Sequence, residues 1–159
     1  MNGIDSVGAS YNNIADVYSK TGDFKKALEY NEKALSIRLK VLGENNMYVA
    51  YSYFNLGVIY LNTGEYDKAL EFHFKSRDID ILNFGKEHFN VAWDNLYIAN
   101  VYVAKGAVLH RGSKFLTPAK NEFFTKALYL YNKSLKIMLK TVGQNHSLVA
   151  ETYCGLGNV

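Results

Sequence analysis

The sequence predicts an all-α fold built from repeated helix pairs, and three observations lead to this prediction. The first is a segment that opens with Val49 and Ala50 and recurs at Val91 and Val149, with Val7 opening an earlier copy. The first three copies are 42 residues apart and the fourth follows after 58. A repeat of this length is typical of stacked helical or other repeat architectures.

The second observation is a regular placement of glycine. One set ends the first helix of each repeat (Gly22, Gly64, Gly106), and another ends the second helix (Gly43, Gly85, Gly143). Helices commonly end at a residue with positive φ, which glycine adopts at the least cost. Each repeat is therefore predicted to read helix, glycine, helix, glycine.

The third observation is helical spacing of apolar residues, without the alternation that indicates strands. In the second helix of repeat one the apolar face is Ala27, Leu28, Ala34, Leu35 and Leu42. We call the two helices of a repeat helix A and helix B. Helix A is predicted at 6–20, 48–62 and 90–105, and helix B at 24–41, 66–83 and 118–141. A seventh helix is predicted to begin near Leu148.

These elements predict one domain over residues 1–159. Its repeats cover 7–48, 49–90 and 91–148, followed by a partial fourth repeat at 149–159. The third repeat is longer because of an insertion at 107–122. We expect the insertion to form a partly ordered protruding loop, with Thr117 as a cap and Pro118 as the first residue of helix B.

Composition excludes several classes of protein. Apolar residues make up 48% and charged residues 21% of the chain, which is typical of globular proteins. The first residues lack the pattern of a secretory signal, and Cys154 is the single cysteine, so we expect a cytoplasmic protein without an internal disulfide. The net charge of +3 leaves nucleic-acid binding as an alternative function.

No catalytic or metal-binding pattern is found. The sequence contains no phosphate-binding loop, dinucleotide fingerprint or His-Glu-x-x-His motif, so we expect no enzyme activity, cofactor or metal. His88 and His146 occupy the repeat position of Asn46, which predicts helix N-caps. His73 lies on the inner face of helix B and is predicted to pack there.

The residues of repeat two resemble the tetratricopeptide repeat: Tyr53, Leu56, Gly57, Tyr60 and Ala69. The resemblance implies a right-handed solenoid of stacked antiparallel helix pairs, with about seven helices here. The 42-residue period and the junctions at 43–46, 85–88 and 143–146 are similar to the repeats of kinesin light chains. The function implied is a scaffold that binds a protein or peptide, with a cargo adaptor as the more specific alternative.

In such a solenoid the A helices line the concave face. Asparagine amides beside aromatic rings on this face suit an extended peptide, since amides can pair with its backbone and rings can bury its side chains. The candidate groove residues are Asn12, Asn13, Asp16, Tyr51, Phe54, Asn55, Val58, Asn62, Trp93, Leu96, Tyr97 and Asn100.

Two points stay open from the sequence. Phe54, Val58 and Leu96 fit the groove and the packing between helices equally well. The last helix, which begins near Leu148, would still need a partner helix, so we expect either a longer array or self-association through this helix.

Overall fold

The computed structural model describes residues 3–109 and 118–159, and within them the backbone forms seven α-helices and no strand. All seven predicted helices are present, with ends within three residues of the predicted ones. They are α1 (Gly3–Lys20), α2 (Phe24–Leu42), α3 (Met47–Asn62), α4 (Tyr66–Phe84), α5 (Phe89–Val108), α6 (Pro118–Thr141) and α7 (Ser147–Gly157).

The insertion is described only at its two ends. Pro118 is the first residue of α6, as predicted. Residues 110–117, which include His110 and Thr117, lie outside the described residues. The protruding loop expected there therefore stays a prediction.

The chain divides into two compact units. The N-terminal unit, residues 1–83, contains α1 to α3 and nearly all of α4, and the C-terminal unit, residues 84–159, contains α5 to α7. In the N-terminal unit α1 packs against α2, and α2 packs against α3. In the C-terminal unit α6 packs against both α5 and α7. Each helix B thus contacts the helix A that precedes it. The helices α2 and α6 also contact the helix A that follows them in the same unit.

Glycine turns end most of the helices where the sequence predicts them. Gly22, Gly43, Gly64, Gly85 and Gly143 all have φ between 79° and 84°. A side chain is disfavoured in this conformation, so glycine is the natural residue at these turns.

Gly106 does not end a helix, and its predicted role is wrong. It is buried inside α5, which continues to Val108. A Cβ at Gly106 would lie 3.3 Å from the ring of Phe124 on α6. Its small size therefore allows α5 and α6 to approach, rather than allowing the chain to turn.

The predicted N-caps of the later A helices are confirmed. The Asn46 side chain accepts a hydrogen bond from the backbone N–H of Tyr48 at 2.9 Å. The Nδ1 of His88 accepts from the backbone N–H of Asn90, and the Nδ1 of His146 accepts from that of Leu148, each at 3.2 Å. Each contact satisfies one of the backbone donors that a helix start leaves without an intrahelical partner.

The buried stripe of helix B differs from the apolar face that the sequence predicts. It follows four repeat positions, which are Ala27, Asn31, Ala34 and Arg38 in α2, Ala69, His73, Ser76 and Asp80 in α4, and Ala127, Tyr131, Ser134 and Met138 in α6. Leu28, Leu35 and Leu42 of the predicted face are only partly buried, and in repeat three the apolar residues Leu128 and Val142 are 39% and 37% exposed.

Polar residues occupy this stripe because several of them bond the next or preceding helix A. Asn31 donates to the carbonyl of Ser52 on α3 at 2.9 Å, and Ser134 donates to the carbonyl of Ala92 on α5 at 2.7 Å. Buried polar groups are tolerated when they are paired in this way. Apolar periodicity alone could not show such a stripe.

The tyrosine of each repeat packs between an aromatic ring and a lysine of helix B. Tyr60 stacks on Phe72 with 5.5 Å between ring centroids, and the ammonium of Lys68 lies 4.9 Å from the Tyr60 ring. Tyr18 makes the same two contacts with Tyr30 and Lys26. These tyrosines thus pack between helix A and helix B of their own repeat.

Gly57 on α3 lies directly against His73 on α4. A Cβ at this position would lie 2.7 Å from the ring of His73, which is fully buried. Contacts this short between a Cβ and a buried ring are not tolerated without a shift. Repeat one has Ala15 and Asn31 at the equivalent positions, so a larger residue on helix A accompanies a smaller one on helix B.

We therefore expect Gly57→Ala to destabilise the protein, although alanine favours helices by about 1 kcal/mol over glycine. Overpacking against the fully buried His73 ring should cost more than this gain, up to about 3 kcal/mol, so the net change is a loss of stability of up to about 2 kcal/mol. Urea unfolding measures it. Adding His73→Asn recreates the residue pair of repeat one and should restore part of the loss; equal stability of Gly57→Ala and wild type would contradict the packing account.

His73 also has a pH signature, because burial lowers the pKa of its imidazole to about 3. In the unfolded chain the pKa is about 6.5, so below that pH protons bind the unfolded state in preference. The contribution of a neutral His73 to stability is complete above about pH 6.5 and is lost as the pH falls towards 3.

Lowering the pH from about 7 to about 5 should accordingly remove about 2 kcal/mol of unfolding free energy through this residue. Urea unfolding of wild type and His73→Asn at both pH values tests this, since the asparagine variant lacks the titrating group. A decrease of the same size in both proteins would show that His73 is not responsible.

Candidate functional site

Three of the twelve predicted groove residues lie inside the protein. Leu96 is 0%, Asn12 2% and Phe54 8% exposed. They share one repeat position, and Phe54 packs edge-on against His73 with 5.2 Å between ring centroids. Side chains at this position point towards helix B. The prediction that these three residues line the groove is therefore wrong. Of the two interpretations left open for Phe54 and Leu96, packing is the one observed.

The candidates of the N-terminal unit that reach the surface lie on α1 and α3: Asn13, Asp16, Tyr51, Asn55, Val58 and Asn62. Asp16, Asn55 and Val58 line a small pocket of about 30 Å³ between these two helices. Such a volume holds about one water molecule and no side chain of a ligand. The Asp16 carboxylate also accepts from the Lys20 ammonium at 2.7 Å.

Tyr51 is held above a buried arginine. Arg38 is 3% exposed and donates from one nitrogen to the hydroxyl of Ser52 at 2.8 Å and to the carbonyl of Tyr48 at 3.1 Å. Its guanidinium lies 6.0 Å from the centre of the Tyr51 ring, which is 44% exposed. The buried cation thus supports an aromatic ring at the surface of α3.

In the C-terminal unit the candidates Trp93, Tyr97 and Asn100 follow one another along α5 and are all half-buried. The Trp93 ring lies between Phe89, at 6.1 Å, and Tyr97, at 6.5 Å between centroids. Trp93 is the only tryptophan in the protein. The structure therefore brings three predicted residues together as one aromatic and amide row.

This row continues into a cleft of about 300 Å³ between α5 and α7, with Tyr131 of α6 at its base. Asn100, Val103 and Ala104 line it from α5, and Glu151, Cys154 and Gly155 line it from α7. The cleft falls at the lower end of the range for pockets that take small ligands. It can therefore admit a single long side chain.

The Tyr131 hydroxyl donates to Oδ1 of Asn100 at 2.6 Å. Burial, and to a smaller extent the negative charge of Glu151, raise the pKa of this hydroxyl to about 12. It therefore stays protonated and fixes the orientation of the Asn100 amide. Burial and the same carboxylate also raise the pKa of Tyr97 above its ordinary value.

Tyr131, Glu151 and Gly155 are not among the residues that the sequence predicts for the site. A signal for Glu151 is present, because it occupies the repeat position of Tyr51 and Trp93. Gly155 stands where repeat three has Tyr97, and a Cβ there would lie 2.6 Å from the Tyr131 ring. The loss of a side chain at this position brings α7 close to Tyr131 and leaves the cleft open.

The described histidines cap helices or lie in the interior. His88 and His146 are N-caps, His73 is buried, and no group of three or more potential metal ligands occurs among the described residues. Cys154 is a free thiol and exposed. None of the described helices is both long and apolar enough to span a membrane.

Comparison with known proteins identifies the repeat. Residues 6–81 match the family model of the tetratricopeptide repeat. This part of the chain is similar to the tetratricopeptide repeat, and the fold of the chain is that of tetratricopeptide-type helical repeats. No curated protein sequence gives a significant match.

Solved structures show the same fold. BtubC (BKLC) from P. vanneervenii superposes with a TM-score of 0.76 at 20% identity, over 97% of this chain and 55% of that one. The chain thus spans about half the length of BtubC. A protein of Podosopora anserina, provisionally assigned as a kinesin light chain with nearly identical TPR-like repeats, gives a TM-score of 0.72 at 21% identity over 99% and 70% of the two chains.

Proposed function

We propose that this chain is a protein-interaction scaffold that binds extended peptide segments on the exposed faces of its A helices. Tetratricopeptide repeats generally bind protein partners, and the fold supports this class of function. The observation that carries the proposal is the row of Trp93, Tyr97 and Asn100 beside an open cleft. Aromatic side chains at a concave surface bury large areas on binding and often dominate the binding energy.

The A-helix face of the N-terminal unit supports the same function through Tyr51 and Asn55. An asparagine amide can donate to and accept from the backbone of a peptide in an extended conformation. The pocket on this face is too small for a side chain, so its contribution would come from surface contacts. We therefore place the principal binding energy on the C-terminal unit.

Affinity capture from cell extract tests the proposal, using the intact chain and the single variants Trp93→Ala and Asn55→Ala. Trp93→Ala should lose most of the captured protein, because truncating a central aromatic residue typically costs 2 kcal/mol or more, roughly thirtyfold in affinity. Asn55→Ala should have a smaller effect. Circular dichroism of each variant checks that the helices are retained.

Tyr129→Ala is the matched control, because Tyr129 is a tyrosine on α6 that is 65% exposed and lies outside the cleft lining. It should capture the same proteins as the intact chain. Loss of partners from Tyr129→Ala together with their retention by Trp93→Ala would move the binding surface to the B helices.

A further inference from the structure

The cleft between α5 and α7 has a distinctive charge. Glu151 is the one carboxylate among the described residues that line it, and no lysine or arginine is among them. Glu151 is exposed and forms no ion pair with the described residues. The protein as a whole carries a net charge of +3, so the cleft is a local negative site in a positively charged chain.

Glu151 shares the cleft with an aromatic ring. Glu151 of α7 and Tyr131 of α6 both line it. The negative charge of Glu151 also contributes, after burial, to the raised pKa values of Tyr131 and Tyr97. A group that binds in the cleft would therefore meet a negative charge and the Tyr131 ring together.

Hydrogen-bond acceptors are available in the same place. The Asn100 Oδ1 accepts a hydrogen bond from the Tyr131 hydroxyl at 2.6 Å and keeps a second lone pair, and Asn158 also lines the cleft. Val103 and Ala104 provide an apolar wall. The cleft thus offers an apolar side for a hydrocarbon stem and acceptors for a charged head.

We propose that this cleft binds a cationic side chain, arginine in preference to lysine, of an extended peptide segment. The inference rests on the proposed function and states what kind of peptide the C-terminal unit recognises. The guanidinium plane can contact the aromatic ring of Tyr131, which lines the cleft, while its N–H groups donate to Glu151. An arginine stem is also long enough to lie along the apolar wall before its head reaches the carboxylate.

Other occupants fit less well. An acidic peptide would place like charges together at Glu151, and the described lining residues supply no cation to compensate. A purely apolar side chain would remove water from the carboxylate without giving it a partner, which is costly. A guanidinium pairs with the Glu151 carboxylate and can also contact the Tyr131 ring.

A randomised octapeptide display library provides the probe. It is selected in parallel on the intact chain, on Glu151→Gln and on Glu44→Gln; the last change removes an exposed carboxylate at the junction between α2 and α3 and serves as the control. Peptides selected by the intact chain and by Glu44→Gln should be enriched in arginine, and to a lesser degree lysine, at one position. Glu151→Gln should lose this enrichment.

The strongest selected peptide is then titrated while Trp93 fluorescence is followed, since Trp93 is the sole tryptophan and lies next to Tyr97. Replacing its arginine by the neutral isostere citrulline, or using Glu151→Gln, should each weaken binding about fivefold, an effect expected for a partly exposed charged contact. The two changes together should cost little more than either alone.

The outcomes separate the two proposals. Selected peptides without a cationic position, or a titration that is insensitive to Glu151→Gln, would overturn the cationic-side-chain inference and leave peptide binding intact. Failure to select any peptide above the level of bare support would overturn both proposals.

Discussion

The structure depends on how closely the A and B helices can approach, and a ring on helix B sets that distance. His73 on α4 is admitted because Gly57 on α3 has no side chain, and Tyr131 on α6 is admitted because Gly155 on α7 has none. Both rings belong to the same repeat position. Since packed interiors leave no room for an added atom, the residues on facing helices must be matched as pairs.

This constraint connects packing with the candidate site. The Tyr131 ring fills the space beside Gly155, while its hydroxyl reaches Asn100 on α5. One side chain therefore closes the interior of the C-terminal unit and forms the base of its cleft. The aromatic row on α5 stands beside that base, so binding at Trp93 and Tyr97 would rely on a framework that is already fixed.

Much of the fold was predictable from the sequence because its signals are local. The positive-φ glycines and the caps at Asn46, His88 and His146 act within a few residues of themselves, and all were located correctly. Gly106 was misassigned because a glycine inside a helix and one after it look alike in sequence. Its contact with α6 is a tertiary property.

The candidate site was less predictable for the same reason. The surface position of Trp93 follows from register, but the burial of Asn12, Phe54 and Leu96 depends on the direction in which one helix face meets helix B. The cleft was missed because its depth comes from an absent side chain at Gly155. A sequence pattern shows which side chains are present. A cavity forms where packed helices leave the space of an absent side chain unfilled, and that packing cannot be read from the pattern.

The caps at the three helix junctions have a consequence for which residues each junction tolerates. Asn46 accepts the backbone N–H through an amide oxygen, and His88 and His146 accept it through Nδ1. Two different side chains thus satisfy the same backbone donor at one repeat position. Asparagine and histidine are therefore interchangeable there, whereas an apolar residue would leave a backbone donor at the helix start without a partner.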